Sequence, residues 1–117
     1  MTTILVVDDK DFRRQEIKDL LQKNGYEVIT EDCAHDVTWA FMDRRFCIDL
    51  VLTDTNMPEI SGIELAQCIR EEISKTLPII GMSEREENRQ YYEYFWLKSE
   101  PYEILIGLIK KLTALKC

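Results

Sequence analysis

The fold class is decided by the stretch "IDLVLTD" (Ile48–Asp54), a short apolar run that ends in an aspartate. The stretch "TILVVD" (Thr3–Asp8), near the start of the chain, has the same form. Short runs of branched apolar residues bounded by polar ones are typical of strands that are buried on both faces. Because such strands need a covering layer on each side, the two stretches predict a parallel sheet between helices.

The rest of the chain alternates in the same way. Further strands are predicted at "YEVIT" (Tyr26–Thr30), "PIIGMS" (Pro78–Ser83) and "YFWLK" (Tyr94–Lys98). Helices are predicted over residues 11–25, 36–45, 62–73, 86–92 and 102–115. Five strands interleaved with five helices indicate an α/β, three-layer, flavodoxin-like (βα)5 fold, whose common small form has the strand order 2-1-3-4-5. We expect residues 1–117 to form a single domain.

Helical spacing of apolar residues predicts which side chains face the core. The expected inward residues are Ile17, Leu20 and Leu21 in the first helix, Leu65, Ala66, Ile69 and Ile73 in the third, and Leu105, Leu108, Ile109 and Leu112 in the last. Cys68 lies within the third of these patterns and is therefore expected in the core.

Composition excludes several classes of protein. The net charge of −7 argues against nucleic acid or an anionic membrane as a direct partner. The chain has no apolar run of about 18 residues and no basic leader before its first strand, so we expect a cytoplasmic protein. Its four cysteines form no CxxC pair and it has one histidine, so the spacing of zinc ligands is absent.

The predicted strand order brings acidic residues together. Asp8 and Asp9 end the first strand and Asp54 ends the third, and the carboxyl ends of these two strands flank the binding crevice of this fold. Two like charges about 4 Å apart repel by roughly 4 kcal/mol at an effective dielectric constant near 20. A divalent cation with oxygen ligands, such as Mg²⁺, would offset that repulsion. The alternative is a solvated turn in which an aspartate such as Asp11 caps the first helix.

Nucleotide-binding alternatives fit less well. Dinucleotide folds need a glycine-rich turn after the first strand, and P-loop proteins need their own glycine motif. The corresponding turn here is "DDKDF" (Asp8–Phe12), which contains no glycine. A dinucleotide-binding protein, a P-loop protein and an FMN-binding flavodoxin are therefore disfavoured.

Four stretches together resemble the receiver domain of two-component response regulators. They are "ILVVDD" (Ile4–Asp9), "LVLTDTNMPEISGIEL" (Leu50–Leu65), "PIIGMS" (Pro78–Ser83) and "FWLK" with the later proline (Phe95–Pro101), and the resemblance covers the whole chain. It implies that a sensor histidine kinase or phosphotransfer protein donates a phosphoryl group to an aspartate of this domain. It implies no other enzymatic activity than this self-catalysed transfer and a slow autodephosphorylation.

The resemblance also implies roles for individual residues. Asp54 would be the phosphoacceptor, and Ser83 and Lys98 would contact the phosphoryl group. Mg²⁺ would be held by Asp8, Asp9, Asp54 and the backbone carbonyl of Asn56. Ser83 and Phe95 would form the switch, and Arg85 occupies a position that tunes the lifetime of the phosphoryl group. A metal-dependent phosphatase with Asp54 as nucleophile is disfavoured, because those enzymes commonly have a second acid where this chain has Asn56.

Two departures from the family leave alternatives open. Family members commonly have lysine directly before the proline, but here Glu100 precedes Pro101. Either Lys98 or Glu100 takes the lysine position, and Lys98 is favoured because a buried glutamate beside three aspartates would be unpaired. Cis geometry at Pro101 is a second open point. The segment between Ser83 and Lys98 is short for the family, so its helix is expected to be short, frayed or displaced.

These departures support an alternative function, a degenerate receiver that binds proteins independently of phosphorylation. Six aromatic residues fall between Tyr91 and Tyr102, and they fit either core packing or a partner surface. The resemblance implies that the fourth predicted helix, the fifth strand and the fifth predicted helix dock an output partner or form a homodimer. The sequence does not decide whether the chain stands alone or belongs to a longer regulator.

Overall fold

A computed structural model of the protein describes residues 2–33, 40–41, 47–85 and 91–114. The five strands are β1 (Thr3–Val7), β2 (Glu27–Glu31), β3 (Leu50–Asp54), β4 (Ile79–Ser83) and β5 (Tyr94–Leu97). The described helices include α1 (Asp11–Lys23), α2 (Gly62–Cys68) and α3 (Tyr102–Ala114). A π-helical segment (Ile69–Ile73) continues directly from α2.

The five strands form one parallel sheet in the order β2-β1-β3-β4-β5, which confirms the predicted fold class. In the pairing of β1 with β3, Val7 lies opposite Thr53. The residues that follow Val7 and Thr53 therefore leave the sheet side by side at its carboxyl edge. The strand order thus reverses between β1 and β3, where open sheets of this type form their binding crevice.

Alternation along the strands sends side chains into two core layers. On one face of the sheet, Leu5, Val51 and Ile79 pack with the apolar side of α2. On the other face, Val6, Leu52 and Met82 pack with the inner residues of α1 and α3. Each fully buried side chain of this size contributes about 1.5–3 kcal/mol relative to an exposed one. Burial on both faces explains why these strands read as continuous apolar runs rather than as alternating patterns.

Neighbouring residues of β5 face opposite layers. Phe95 lies in the layer under α2, whereas Trp96 is fully buried in the layer under α1 and α3. The Trp96 indole donates a hydrogen bond to the backbone oxygen of Pro101 at 3.3 Å. Its ring stacks on Tyr102 with centroids 5.3 Å apart. The start of α3 is therefore anchored on the end of β5.

The helix after Ser61 corrects two predictions about the core. Ile73 is 42% exposed, because the backbone N–H of Ser74 donates to the oxygen of Ile69, five residues back, at 2.8 Å. This wider π-helical turn rotates Ile73 away from the stripe that Ile69 continues. Cys68 is exposed, since it lies about 100° around the helix from Ile69 and outside the buried stripe.

Other predicted elements agree within a few residues or lie outside the described residues. In the last helix Leu105, Ile109 and Leu112 are buried as predicted, and Leu108 is half-buried against the same core layer. Of the predicted second helix, only 40–41 are described, and they are helical. Of the fourth, residues 86–90 are outside the described part, and 91–92 are not helical. No helix in the described part of the chain has the length and apolar character needed to cross a bilayer.

Candidate functional site

Three carboxylates meet at the carboxyl edge of the sheet. Asp8 and Asp9 directly follow β1, and Asp54 is the last residue of β3. One oxygen from each of these aspartates lies within 4.8 Å of the others. Asp8 and Asp54 are buried and Asp9 is half-buried, so water screens their repulsion poorly.

Lys98 extends into this acidic cluster from the end of β5. Its Nζ lies 3.3 Å from an oxygen of Asp8 and 3.3 Å from an oxygen of Asp54. The Lys98 side chain is only 3% exposed. Its backbone N–H donates to the oxygen of Ser83 at 2.8 Å, which holds Lys98 beside the end of β4. A buried ammonium shared by two carboxylates offsets one of the three negative charges of the cluster.

Glu100 lies in a local turn and does not take the position of this lysine. The Glu100 carboxylate accepts a hydrogen bond from the backbone N–H of Leu97 at 2.9 Å. The backbone N–H of Glu100 also donates to the oxygen of Leu97 at 2.8 Å, which closes the turn. No cis peptide bond occurs among the described residues, so the bond before Pro101 is trans. Lys98 is therefore the residue that the fold brings to the acidic cluster.

The residues between β1 and α1 test the alternative of a simple helix cap. Lys10 occupies the N-cap position of α1 and its own side chain makes no capping hydrogen bond, so Asp11 is not the cap of this helix. Asp11 instead pairs with Arg14. Asp8 closes a local turn by accepting from the backbone N–H of Lys10 at 3.0 Å. Helix capping therefore does not explain why acidic residues cluster at this end of α1.

Asp9 supplies the observation that favours a cation. Its Oδ1 is buried and, among the described residues, has no hydrogen-bond partner. A buried carboxylate oxygen without a partner is unfavourable unless it binds a positive ion. Carboxylate and carbonyl oxygens are the ligands that Mg²⁺ takes in proteins. The donor set formed by Asp8, Asp9 and Asp54 therefore fits Mg²⁺.

The environment of Asp54 changes its acidity. Burial raises the pKa of Asp54 from its ordinary value of 3.8 to about 6. The neighbouring charges of Asp8 and, to a smaller extent, Asp9 contribute to this increase of the pKa, while Lys98 opposes it. A cation bound by the same carboxylates would favour the ionised form of Asp54, which is the nucleophilic form.

A cavity of about 500 Å³ opens over this cluster, and its lining includes Asp54, Asn56, Ser83 and Lys98. Ser83 is buried, and its hydroxyl accepts from the Asn56 side chain at 3.4 Å and from the backbone N–H of Arg85 at 3.3 Å. The cavity can hold a tetrahedral anion with the Ser83 hydroxyl and the Lys98 ammonium as donors.

Phe95 lies deeper on the same face of the sheet. It is buried opposite Gly81, two residues before Ser83 on the neighbouring strand. Side chains two residues apart on a strand share one face of the sheet. Phe95 and Ser83 therefore lie on the same face of the sheet.

Sequence reasoning missed two contacts around the cavity. Lys10 and Glu84 lie in its lining and form an ion pair at 3.5 Å. Thr55, next to Asp54, shares a buried hydrogen bond of 3.0 Å with the hydroxyl of Tyr92. Both contacts join loops that are far apart in the chain, and no local pattern of residue types indicates them.

A parallel sheet in this order, with carboxylates, a buried lysine and a hydroxyl at its carboxyl edge, defines a small flavodoxin-like domain with an acidic pocket. The family model for the response regulator receiver domain matches residues 4–100. The chain belongs to this family, as the resemblance in its sequence predicted.

Named relatives agree with this membership. Chemotaxis protein CheY1 of Helicobacter pylori is 38% identical over 79 residues, which are 66% of this chain. A two-component response regulator-like protein of rice, PRR37, is 39% identical over 82 residues, or 68% of this chain. The matched segment spans only 63% of the Helicobacter protein and 11% of the rice protein.

Solved structures extend the similarity to almost the full chain. The response regulator TrrA of Thermotoga maritima, solved with Mg²⁺ and BeF, is 32% identical with a TM-score of 0.86. That comparison covers 96% of this chain and 99% of the other. TrrA was also solved in complex with the histidine kinase ThkA, and in that structure it matches this chain with a TM-score of 0.85.

Proposed function

We propose that this receiver domain accepts a phosphoryl group on Asp54 in the presence of Mg²⁺. The observation that carries the proposal is the buried ammonium of Lys98, which lies 3.3 Å from both Asp8 and Asp54. The buried and unpartnered oxygen of Asp9 supports a cation as the second positive group. Three aspartates, one lysine and one divalent cation sum to zero formal charge, so the pocket can receive a phosphoryl dianion without a large net repulsion.

In the proposed reaction, a carboxylate oxygen of Asp54 forms a bond to phosphorus while the bond between phosphorus and the donor nitrogen or oxygen breaks. Lys98 binds a phosphoryl oxygen and keeps Asp54 oriented for in-line attack. Asp8, Asp9, Asp54 and the carbonyl of Asn56 would hold Mg²⁺, which would supply positive charge next to the transferred group. Burial of Asp54 limits access of water to the acyl phosphate, so the phosphorylated state persists long enough to signal.

The proposed switch connects this chemistry to packing. Phosphorylation adds strong acceptor oxygens and negative charge at Asp54. The Ser83 hydroxyl then donates a hydrogen bond to one of these oxygens, and Ser83 loses its present contacts with Asn56 and Arg85. Movement of Ser83 changes the space that Phe95 borders, so Phe95 repacks and alters the surface of β5.

One experiment tests the proposal directly. The protein is incubated with acetyl phosphate or phosphoramidate and Mg²⁺, and intact mass is measured. We expect a gain of one phosphoryl group in the wild type and none in Asp54→Asn. Asp32→Asn, which removes an exposed carboxylate after β2, is the matched control and should behave as the wild type. Absence of the gain in the wild type would refute active phosphorylation, and a gain in Asp54→Asn would refute the assigned acceptor.

An independent measurement separates binding from chemistry. Beryllofluoride mimics the phosphoryl group without forming a covalent product, and we expect it to bind only when Mg²⁺ is present. Loss of this binding in Asp9→Asn would support the metal site. Binding that is indifferent to Mg²⁺ would contradict the role proposed for the carboxylates.

The alternative of a degenerate, phosphorylation-independent binding module has lost one of its supports. It relied in part on Glu100 taking the lysine position, and Glu100 instead accepts from Leu97 in a local turn. The other support, the short segment before β5, lies partly outside the described residues. A wild type that binds a partner but neither Mg²⁺ nor beryllofluoride would favour this alternative.

The proposed partners are a sensor histidine kinase or phosphotransfer protein, which donates the phosphoryl group, and an output partner or second copy. The kinase is supported by the family and by the complex of TrrA with ThkA. The output surface is proposed on β5 and α3, where Ile104 is exposed and Lys111 lies 5.3 Å from the ring of Tyr94. We propose a cytoplasmic location, one domain over residues 1–117 and no direct contact with nucleic acid or membrane, since the net charge is −7.

A further inference from the structure

The segment before β5 contacts the loop after Asp54 through one buried side chain. Tyr92 is 8% exposed, and its hydroxyl lies 3.0 Å from the hydroxyl of Thr55, a bond in which either group can donate. Thr55 is itself buried, and it lies between two residues of the proposed metal site, Asp54 and Asn56. The two ends of this bond are 37 residues apart in the chain, so it fixes two separate segments relative to each other.

Two glycines make room for Tyr92 in this position. A Cβ atom at Gly81 would lie 2.4 Å from a carbon of the Tyr92 ring, so the ring rests directly on the backbone of β4. A Cβ atom at Gly62 would lie 2.9 Å from the Tyr92 hydroxyl oxygen and 2.2 Å from the backbone oxygen of Asp54. The hydroxyl therefore reaches the point where the loop after β3 meets the start of α2.

The backbone of Thr55 is held on both sides. Its N–H donates to the oxygen of Met82 at 2.8 Å, and its oxygen accepts from the N–H of Gly62 at 2.9 Å. These bonds fix the position of the chain at Thr55, and the bond to Tyr92 fixes the side chain. Three hydrogen bonds of Thr55 therefore restrict the orientation of the peptide between Thr55 and Asn56.

We propose that Tyr92 is a positioning residue, whose hydrogen bond to Thr55 orients the loop that presents Asp54 and Asn56 to the divalent cation. This inference rests on the proposed function, because it concerns the metal site of that function. Tyr92 would act on this loop through Thr55, to which its hydroxyl is hydrogen-bonded. The centroid of its ring also lies 6.0 Å from that of the Phe95 ring. Tyr92 therefore connects the loop after Asp54 to a residue of the proposed switch.

Plain core packing is the competing explanation, and matched variants separate the two. Tyr92→Phe keeps the ring on Gly81 and removes only the hydroxyl, and Thr55→Val removes the other hydroxyl with almost no change of shape. Thr55→Ser keeps a hydroxyl at the same place and serves as the conservative rescue. The Mg²⁺ dissociation constant is measured by titration calorimetry on each variant and on the double variant Tyr92→Phe/Thr55→Val.

The loss of one buried hydrogen bond should raise the Mg²⁺ dissociation constant roughly threefold to tenfold in each single variant. The double variant should be no weaker than the worse single variant, because both substitutions remove the same bond. Thr55→Ser should stay within about twofold of the wild type. Amide hydrogen exchange in the metal-free variants should quicken at Gly62, whose N–H donates to Thr55.

Single variants that melt earlier than the wild type, yet bind Mg²⁺ as tightly and exchange at Gly62 as slowly, would overturn the inference in favour of packing alone. If Tyr92→Phe does not fold, Thr55→Val decides the same question, because it leaves the ring in place. A wild type that does not bind Mg²⁺ would refute the proposed function. In that case the exchange measurement still tests whether Tyr92 orders the loop.

Discussion

Replacement of the acceptor by its amide, Asp54→Asn, should stabilise the metal-free protein at neutral pH. The pKa of Asp54 is 3.8 in the unfolded chain and about 6 in the folded protein, mainly because of burial. Between these two pH values the folded protein therefore holds more protons than the unfolded chain. The resulting stabilisation is complete below about pH 3.8 and is lost as the pH rises through about 6.

The magnitude follows from the same two values. Their difference, at roughly 1.4 kcal/mol for each pKa unit, amounts to about 3 kcal/mol of stability that the wild type loses by neutral pH. Asparagine has nearly the same shape and carries no charge, so Asp54→Asn avoids this loss. For a chain of 117 residues, at roughly 4 °C per kcal/mol, the expected rise of Tm is about 12 °C.

The assay is thermal unfolding in a metal chelator, followed by circular dichroism at a series of pH values from about 4 to 8. The wild type should lose stability relative to Asp54→Asn across the interval between 3.8 and about 6, and Asp32→Asn should follow the wild type. Saturating Mg²⁺ should then reduce the difference in Tm between the two proteins. The wild type binds the cation more tightly than Asp54→Asn and is therefore stabilised more by it.

Two results would refute this reasoning. The first is a wild type and Asp54→Asn whose difference in stability does not change with pH over this interval. The second is an Asp54→Asn protein less stable than the wild type at neutral pH without metal. Either result would mean that attraction to Lys98 stabilises the charged form of Asp54 by more than burial and Asp8 destabilise it.

The remaining predictions concern the lysine position and two glycines. Lys98→Ala should slow phosphorylation by acetyl phosphate by roughly a hundredfold, whereas Glu100→Ala should leave the rate within about twofold and lower stability by about 1 kcal/mol. Phosphorylation rates measured by intact mass distinguish the two variants. A larger loss of rate in Glu100→Ala than in Lys98→Ala would assign the lysine position to Glu100. Gly81→Ala should destabilise by about 1–3 kcal/mol in urea unfolding, because its new methyl group meets the Tyr92 ring. Gly107→Ala should stabilise by roughly 0.5–1 kcal/mol, since the helix is open there, and equal effects of the two substitutions would contradict the described packing.

The fold was well predicted from the sequence because parallel strands that are buried on both faces appear as short, continuous apolar runs. Runs such as "ILVV" at Ile4–Val7 allow few other structures, and the strand order then follows from short connections and fixed handedness. The acidic cluster was predictable for the same reason, since carboxylates that end β1 and β3 must meet.

Details that depend on helix geometry or on distant contacts were less predictable. The exposure of Ile73 results from one π-helical turn, and residue types alone do not specify that turn. The choice between Lys98 and Glu100 depended on the geometry of a local turn, in which both the backbone and the side chain of Glu100 bond to Leu97. The bond between Thr55 and Tyr92 could not be foreseen, because it joins segments whose relative placement only the folded core defines.

The burial of Trp96 gives the protein an optical reporter close to its own site. Its indole is fully enclosed on the face of the sheet opposite Phe95, and it lies two residues before Lys98. Because indole emission depends on the polarity and packing around the ring, a change in the intensity or wavelength of Trp96 emission would register rearrangements that cross the sheet. With the other tryptophan, Trp39, replaced by phenylalanine, emission from one residue would follow signal transmission in real time and without a label.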